Sequence, residues 1–103
     1  MSEINIVAWN SRGCNSDPRV RHITDFVHKH KVSTIGILET KILREKENEI
    51  SRKLLPGWQF CTNSDVGVRG RIWLSWDQSV LEVIIIRIET QFIHCRVVHN
   101  DNI

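Results

Sequence analysis

Two oxygen-bearing side chains close short runs of strand-forming residues. Asn10 follows Ile4-Asn5-Ile6-Val7-Ala8-Trp9, and Glu39 follows Ser33-Thr34-Ile35-Gly36-Ile37-Leu38. If the two strands run parallel, their carboxyl ends share one sheet edge, which is where open α/β sheets bind ligands. An amide and a carboxylate meeting there form an oxygen-only donor pair. Such a pair suits Mg²⁺, which takes few protein ligands and keeps several waters. A metal so held polarises a phosphoryl oxygen and stabilises charge on a leaving oxygen. Arg12, on the loop that leaves the first strand, is a candidate contact to a nucleic-acid backbone, and Lys41, on the loop that leaves the second, is a candidate either to approach a phosphate or to ion-pair with Glu39. A lone carboxylate at a strand end is more often solvated or capping, so the spacing alone does not assign a metal.

The intervening residues must bring these groups together. Asn10 to Ser16 is a polar loop containing Gly13, and Asp17-Pro18 suits a helix start, with a capping carboxylate and proline in the first turn. Val20, Ile23, Phe26 and Val27 recur at helical spacing. His28-Lys29-His30-Lys31 places positive charge at the helix end, where the dipole favours it. Strand, helix and strand in succession make a βαβ unit with a right-handed crossover. Leu43 to Leu55 reads as a second helix, stopped by Pro56-Gly57. The texture then turns β-rich: Trp58 to Thr62, Arg71 to Trp76, Val80 to Ile88 and Gln91 to Val98, with a polar loop from Asn63 to Gly70. Ile72, Leu74 and Trp76 alternate with other residues, as in a half-buried strand. The fold class expected is α/β passing into α+β: a βαβ unit, a second helix, then antiparallel strands. With two helices for one sheet face and nothing obvious for the other, residues 1–103 read as one domain cut short at its carboxyl end. An uncovered sheet face predicts an exposed apolar patch and self-association.

Several short elements in series carry a resemblance. Ile6-Val7-Ala8-Trp9-Asn10-Ser11-Arg12-Gly13 resembles the strand-Trp-Asn-x-Arg-Gly opening of the endonuclease/exonuclease/phosphatase (deoxyribonuclease I-like) family, and Leu38-Glu39-Thr40-Lys41 resembles its Glu-Thr-Lys element. Asp17-Pro18-Arg19, His30-Lys31-Val32-Ser33, Pro56-Gly57-Trp58 and Gly70-Arg71-Ile72-Trp73-Leu74 resemble the endonuclease domain of plant LINE-type (non-LTR) retrotransposons. The resemblance implies a four-layer α/β sandwich of which this chain holds the amino-terminal half. It implies hydrolysis of DNA phosphodiesters with Mg²⁺ or Mn²⁺. Glu39 would be the metal ligand and Asn10 its neighbour on the metal or phosphate. The family's later Gly-Asp-x-Asn and Ser-Asp-His elements do not occur in these 103 residues. Asn100-Asp101-Asn102 lacks the preceding glycine. The chain alone is therefore expected to lack nuclease activity.

Bulk properties exclude some classes. At 41% hydrophobic and 25% charged residues, intrinsic disorder is not expected. No apolar run approaches a membrane span, and Met1 to Asn5 lack a signal-peptide pattern, so an intracellular site, nucleus or cytoplasm, is expected. Cys14, Cys61 and Cys95 are odd in number and far apart, as reduced thiols are. A net charge of +2 permits nucleic acid without arguing for it. His22, His28 and His30 lack zinc spacing. Arg12, Arg19 and Arg21 read as a solvated basic face, and the four tryptophans as core more than as base-stacking platforms. No small-molecule cofactor is implied. The alternatives are a non-catalytic remnant binding nucleic acid or protein, and a fragment of a cellular abasic-site endonuclease or phosphatase relative.

Overall fold

The computed structural model describes residues 4–14, 16–64 and 71–100; parts of the two polar loops and of the carboxyl-terminal segment discussed above lie outside them. The chain is a mixed α+β fold in the order β1 (Asn5–Asn10), α1 (Asp17–Lys29), β2 (Val32–Leu38), a single 3₁₀ turn (Arg44–Lys46), α2 (Glu47–Leu54), β3 (Gln59–Thr62), β4 (Ile72–Trp76), β5 (Leu81–Ile88) and β6 (Ile93–His99).

β1 and β2 pair in parallel, as the βαβ reading requires, and β4 joins β2 antiparallel with β3 outside it. The order is β1-β2-β4-β3, and β5 and β6 form a separate two-stranded sheet. The expected meander is thus split between two sheets.

Alternation sorts the four-stranded sheet into two faces. Val7, Trp9, Ile35, Ile37, Trp73 and Phe60 join Val20, Ile23, Val27 and Leu54 of the helices in one core. Phe60 and Trp73 stack at 4.7 Å between ring centroids, and Trp9 meets Phe26 edge-on at 5.2 Å. In β4 the deeply buried side chains are Trp73 and Ser75 on this helix face. Ile72, Leu74 and Trp76, whose alternation reads as a half-buried strand, are half-buried on the opposite face.

The β5–β6 hairpin is tied at both ends to the larger sheet. At one end the backbone N–H groups of Val80 and Leu81 donate to the Asp77 carbonyl, and Asp77 N–H donates to Ser33 O. At the other end Asn63, only 1% exposed, donates through Nδ2 to the carbonyls of Glu89 (3.1 Å) and Thr90 (3.0 Å). Its Oδ1 accepts from Ile72 N–H at 2.7 Å. The Asn63 latch was invisible in a sequence where it read as a loop residue. On the hairpin itself Ile84, Ile86 and Val98 are exposed.

Three local details differ from expectation. Ser16 is the N-cap of α1 and Asp17 its first residue, and no side chain caps the helix start. β1 is an edge strand, not a buried one, and Ile6 is 62% exposed. Leu43 stands exposed ahead of the 3₁₀ turn instead of on a buried helix face. Among the described residues no helix is long and apolar enough to cross a membrane.

Candidate functional site

The parallel register places Asn10 opposite Leu38, so the residue after Leu38 is Glu39, on the same edge as Asn10. This is the shared sheet edge the strand reading required. Both side chains are exposed, and among the described residues neither is engaged in a hydrogen bond or ion pair. Two oxygen donors are therefore presented to solvent at a common rim.

The rim is fixed by a zipper between the loops that leave β1 and β2. Ser11 N–H donates to Leu38 O at 3.1 Å, and Ser11 Oγ donates to Leu38 O (2.9 Å) and Glu39 O (3.2 Å). Gly13 N–H returns to Ser11 Oγ at 3.2 Å, and Cys14 N–H donates to Thr40 O at 2.6 Å. Residues 12 and 13 thus run beside residues 39 and 40. Arg19, read from sequence as part of a solvated basic face, instead braces this loop: its Nη1 donates to the carbonyls of Arg12 (3.1 Å) and Gly13 (3.0 Å). Arg71, one residue before β4, donates to Ile42 O, and its own carbonyl accepts from Thr40 N–H. Thr40 and Cys14 are buried beneath the rim. Burial pushes the Cys14 thiol up to about 11 against a smaller opposing effect of the Arg19 guanidinium. Cys14 is an inert packing thiol here.

Backbone strain concentrates at the same place. The described residues include four non-glycine positions with positive φ: Arg12 (53°), Lys31 (52°), Glu39 (55°) and Lys41 (55°). Three of them are the rim's candidate residues, and Gly13 between the loops has φ 115°. L-residues pay about 1–2 kcal/mol for this conformation. Such outliers persist where surrounding structure over-determines them, and they gather at functional sites. Lys31 is the exception, ending α1 in the left-handed position that helices commonly use.

Sequence reasoning found Asn10 and Glu39 and the basic neighbours Arg12 and Lys41. It missed Ser11, Arg19 and Arg71 as the groups that hold the rim. A small hydroxyl residue directly after a strand end was the one available signal. Two side-chain oxygens, with waters filling the remaining positions, fit the donor preference of Mg²⁺ or Mn²⁺. Among the described residues, no cluster of three or more His, Cys, Asp and Glu side chains gathers to hold a metal ion. No family model, curated protein or solved structure matches this chain.

Proposed function

We propose that this chain is the amino-terminal part of a Mg²⁺-dependent phosphodiesterase resembling the retrotransposon endonucleases that nick DNA, and that it carries the first half of the metal site. The observation that carries this reading is the parallel β1–β2 register, with Asn10 and Glu39 delivered to one rim. Glu39 supplies the anionic ligand and Asn10 the neutral oxygen. A bound Mg²⁺ or Mn²⁺ would supply Lewis acidity toward a phosphoryl oxygen. Arg12 and Lys41 offer positive charge beside it for the DNA backbone. The group that orients the attacking water, and the His–Asp pair that faces the phosphate, have no counterpart in these 103 residues. Turnover by the chain alone is therefore not expected, and its place would be where its DNA is, inside the cell.

The test is a supercoiled-plasmid nicking assay with Mg²⁺, run on this chain and on a version extended with the Gly-Asp-x-Asn and Ser-Asp-His elements. The reading expects nicking by the extended protein, loss of that nicking with Glu39→Gln, and none by the shorter chain. Nicking indifferent to Glu39→Gln, or none by the extended protein, would overturn it. Salt-sensitive DNA binding without cleavage by both proteins would make the fold a binding module instead.

A further inference from the structure

The sheet edges of this protein are guarded unequally. Edge strands are ordinarily blunted by charge, proline, bulges or shortness, because unpaired backbone groups template association. The hairpin has such devices: Glu82 and Arg87 on β5, Arg96 on β6, and a register shift between Ile85 and Arg87. β3, the outer strand beside β4, is only four residues long. β1 has only a register shift at its start, between Asn5 and Ile6. Asn5–Asn10 contains no charged residue and no proline, and its edge opposite β2 has no backbone partner among the described residues.

The hydrogen-bond parity of that edge is fixed. Ser11 N–H points to β2, since it donates to Leu38 O. In a parallel pair the backbone groups of alternate residues face one neighbour. Val7 and Trp9 therefore bond to β2, while Ile6, Ala8 and Asn10 direct their N–H and C=O groups outward. We infer that this edge pairs antiparallel with β1 of a second copy, about a two-fold axis at Ala8. In this register Ala8 faces Ala8 of the second copy and Ile6 faces Asn10 of the second copy. All outward N–H and C=O groups of the three residues are then paired. Centring the axis on Val7 sets Asn10 against Ile4, which lies outside β1. The Ala8 register also sets Val7 of each copy against Trp9 of the other on the helix face, as closely spaced apolar cross-strand pairs. The two four-stranded sheets become one continuous sheet, and the 62% exposed Ile6 gains a neighbour. The pairing rests on the strand edge alone and is independent of the metal reading.

Sedimentation equilibrium over a range of protein concentrations tests it, with far-ultraviolet circular dichroism to verify that each variant is folded. The wild-type chain is expected to dimerise. Ile6→Lys, a charge on the open strand, is expected to raise the dissociation constant at least about tenfold. Ala8→Pro, which removes an outward N–H at a position where edge strands tolerate proline, should do the same. Ile84→Lys, on the exposed face of the hairpin, should leave the dimer intact. Hydrogen exchange reads the register: Ile6, Ala8 and Asn10 amides should gain protection as concentration rises. If Ala8→Pro fails to fold, Ile6→Lys and the exchange pattern carry the decision. A monomer at all concentrations, a dimer dissolved by Ile84→Lys but not by Ile6→Lys, or amides that stay unprotected in the dimer would each overturn the inference.

Discussion

Replacing Glu39 with glycine should stabilise this protein. Glu39 holds φ at 55° and is exposed, and among the described residues its carboxylate makes no hydrogen bond or ion pair. The left-handed conformation costs a residue with a Cβ about 1–2 kcal/mol, and glycine is free of that penalty. Glycine loses more chain entropy on folding, which takes back about 0.5–1 kcal/mol. The net gain expected for Glu39→Gly is about 0.5–1 kcal/mol, or roughly 2–4 °C in melting temperature for a domain of this size. Glu39→Ala keeps the backbone penalty and should melt close to wild type. Lys31→Gly, at φ 52° on the far end of α1, should gain as much as Glu39→Gly. Thermal and urea melts of the three variants decide the matter. A fall in stability for Glu39→Gly beside a rise for Lys31→Gly would refute the reasoning. It would mean that the Glu39 side chain supports the fold rather than standing ready for a ligand.

Three other perturbations follow from single buried groups. Asn63→Ala removes the partner of the part-buried Ile72 N–H and of the carbonyls of Glu89 and Thr90. It should cost about 3 kcal/mol in a urea melt and loosen hydrogen exchange at the hairpin turn first. Thr34 Oγ1 is buried with no hydrogen-bond partner, so Thr34→Val should be neutral or raise stability by about 1 kcal/mol; a loss above that amount in the same melt would reveal a partner for the hydroxyl. Cys14 is raised by burial from its ordinary 9.0 to about 11, so the folded state favours the protonated thiol. Its stability contribution is complete below pH 9 and fades as pH rises to about 11. At about 1.4 kcal/mol per pH unit the loss is roughly 3 kcal/mol. The slope of unfolding free energy against pH in that window should flatten in Cys14→Ala.

The parts of this fold that were legible in the sequence are those written in periodicity. Val20, Ile23 and Val27 repeat every three to four residues and do form the buried stripe of α1. The apolar runs ending at Asn10 and Leu38 do form parallel strands, because the intervening helix needs them so. Which strand lies at an edge was not legible, since Ile6-Val7-Ala8-Trp9 reads alike whether one flank or two are paired. The split of the later strands into two sheets was hidden for a similar reason: Leu74 and Ile85 look equally apolar, and only the Asn63 latch shows where one sheet ends. Of the rim, the ligand types Asn10 and Glu39 stood out because their chemistry differs from the apolar strands before them. Ser11 and Arg71 did not, because a hydroxyl or guanidinium that bonds a backbone carbonyl across 27 or 29 residues leaves no local pattern, and Arg19, which reaches back 6 and 7 residues, follows no helix or strand spacing.

The proposed function requires the rim shared by Asn10 and Glu39 to take up a divalent cation. Titrating the labelled protein with Mn²⁺ and following paramagnetic broadening of its backbone amides tests this without needing catalysis. Broadening is expected to begin at residues 10–13 and 39–41 and to be abolished in Glu39→Gln, while the melting temperature of that variant stays near wild type. Broadening that starts elsewhere, or that survives unchanged in Glu39→Gln, would contradict it.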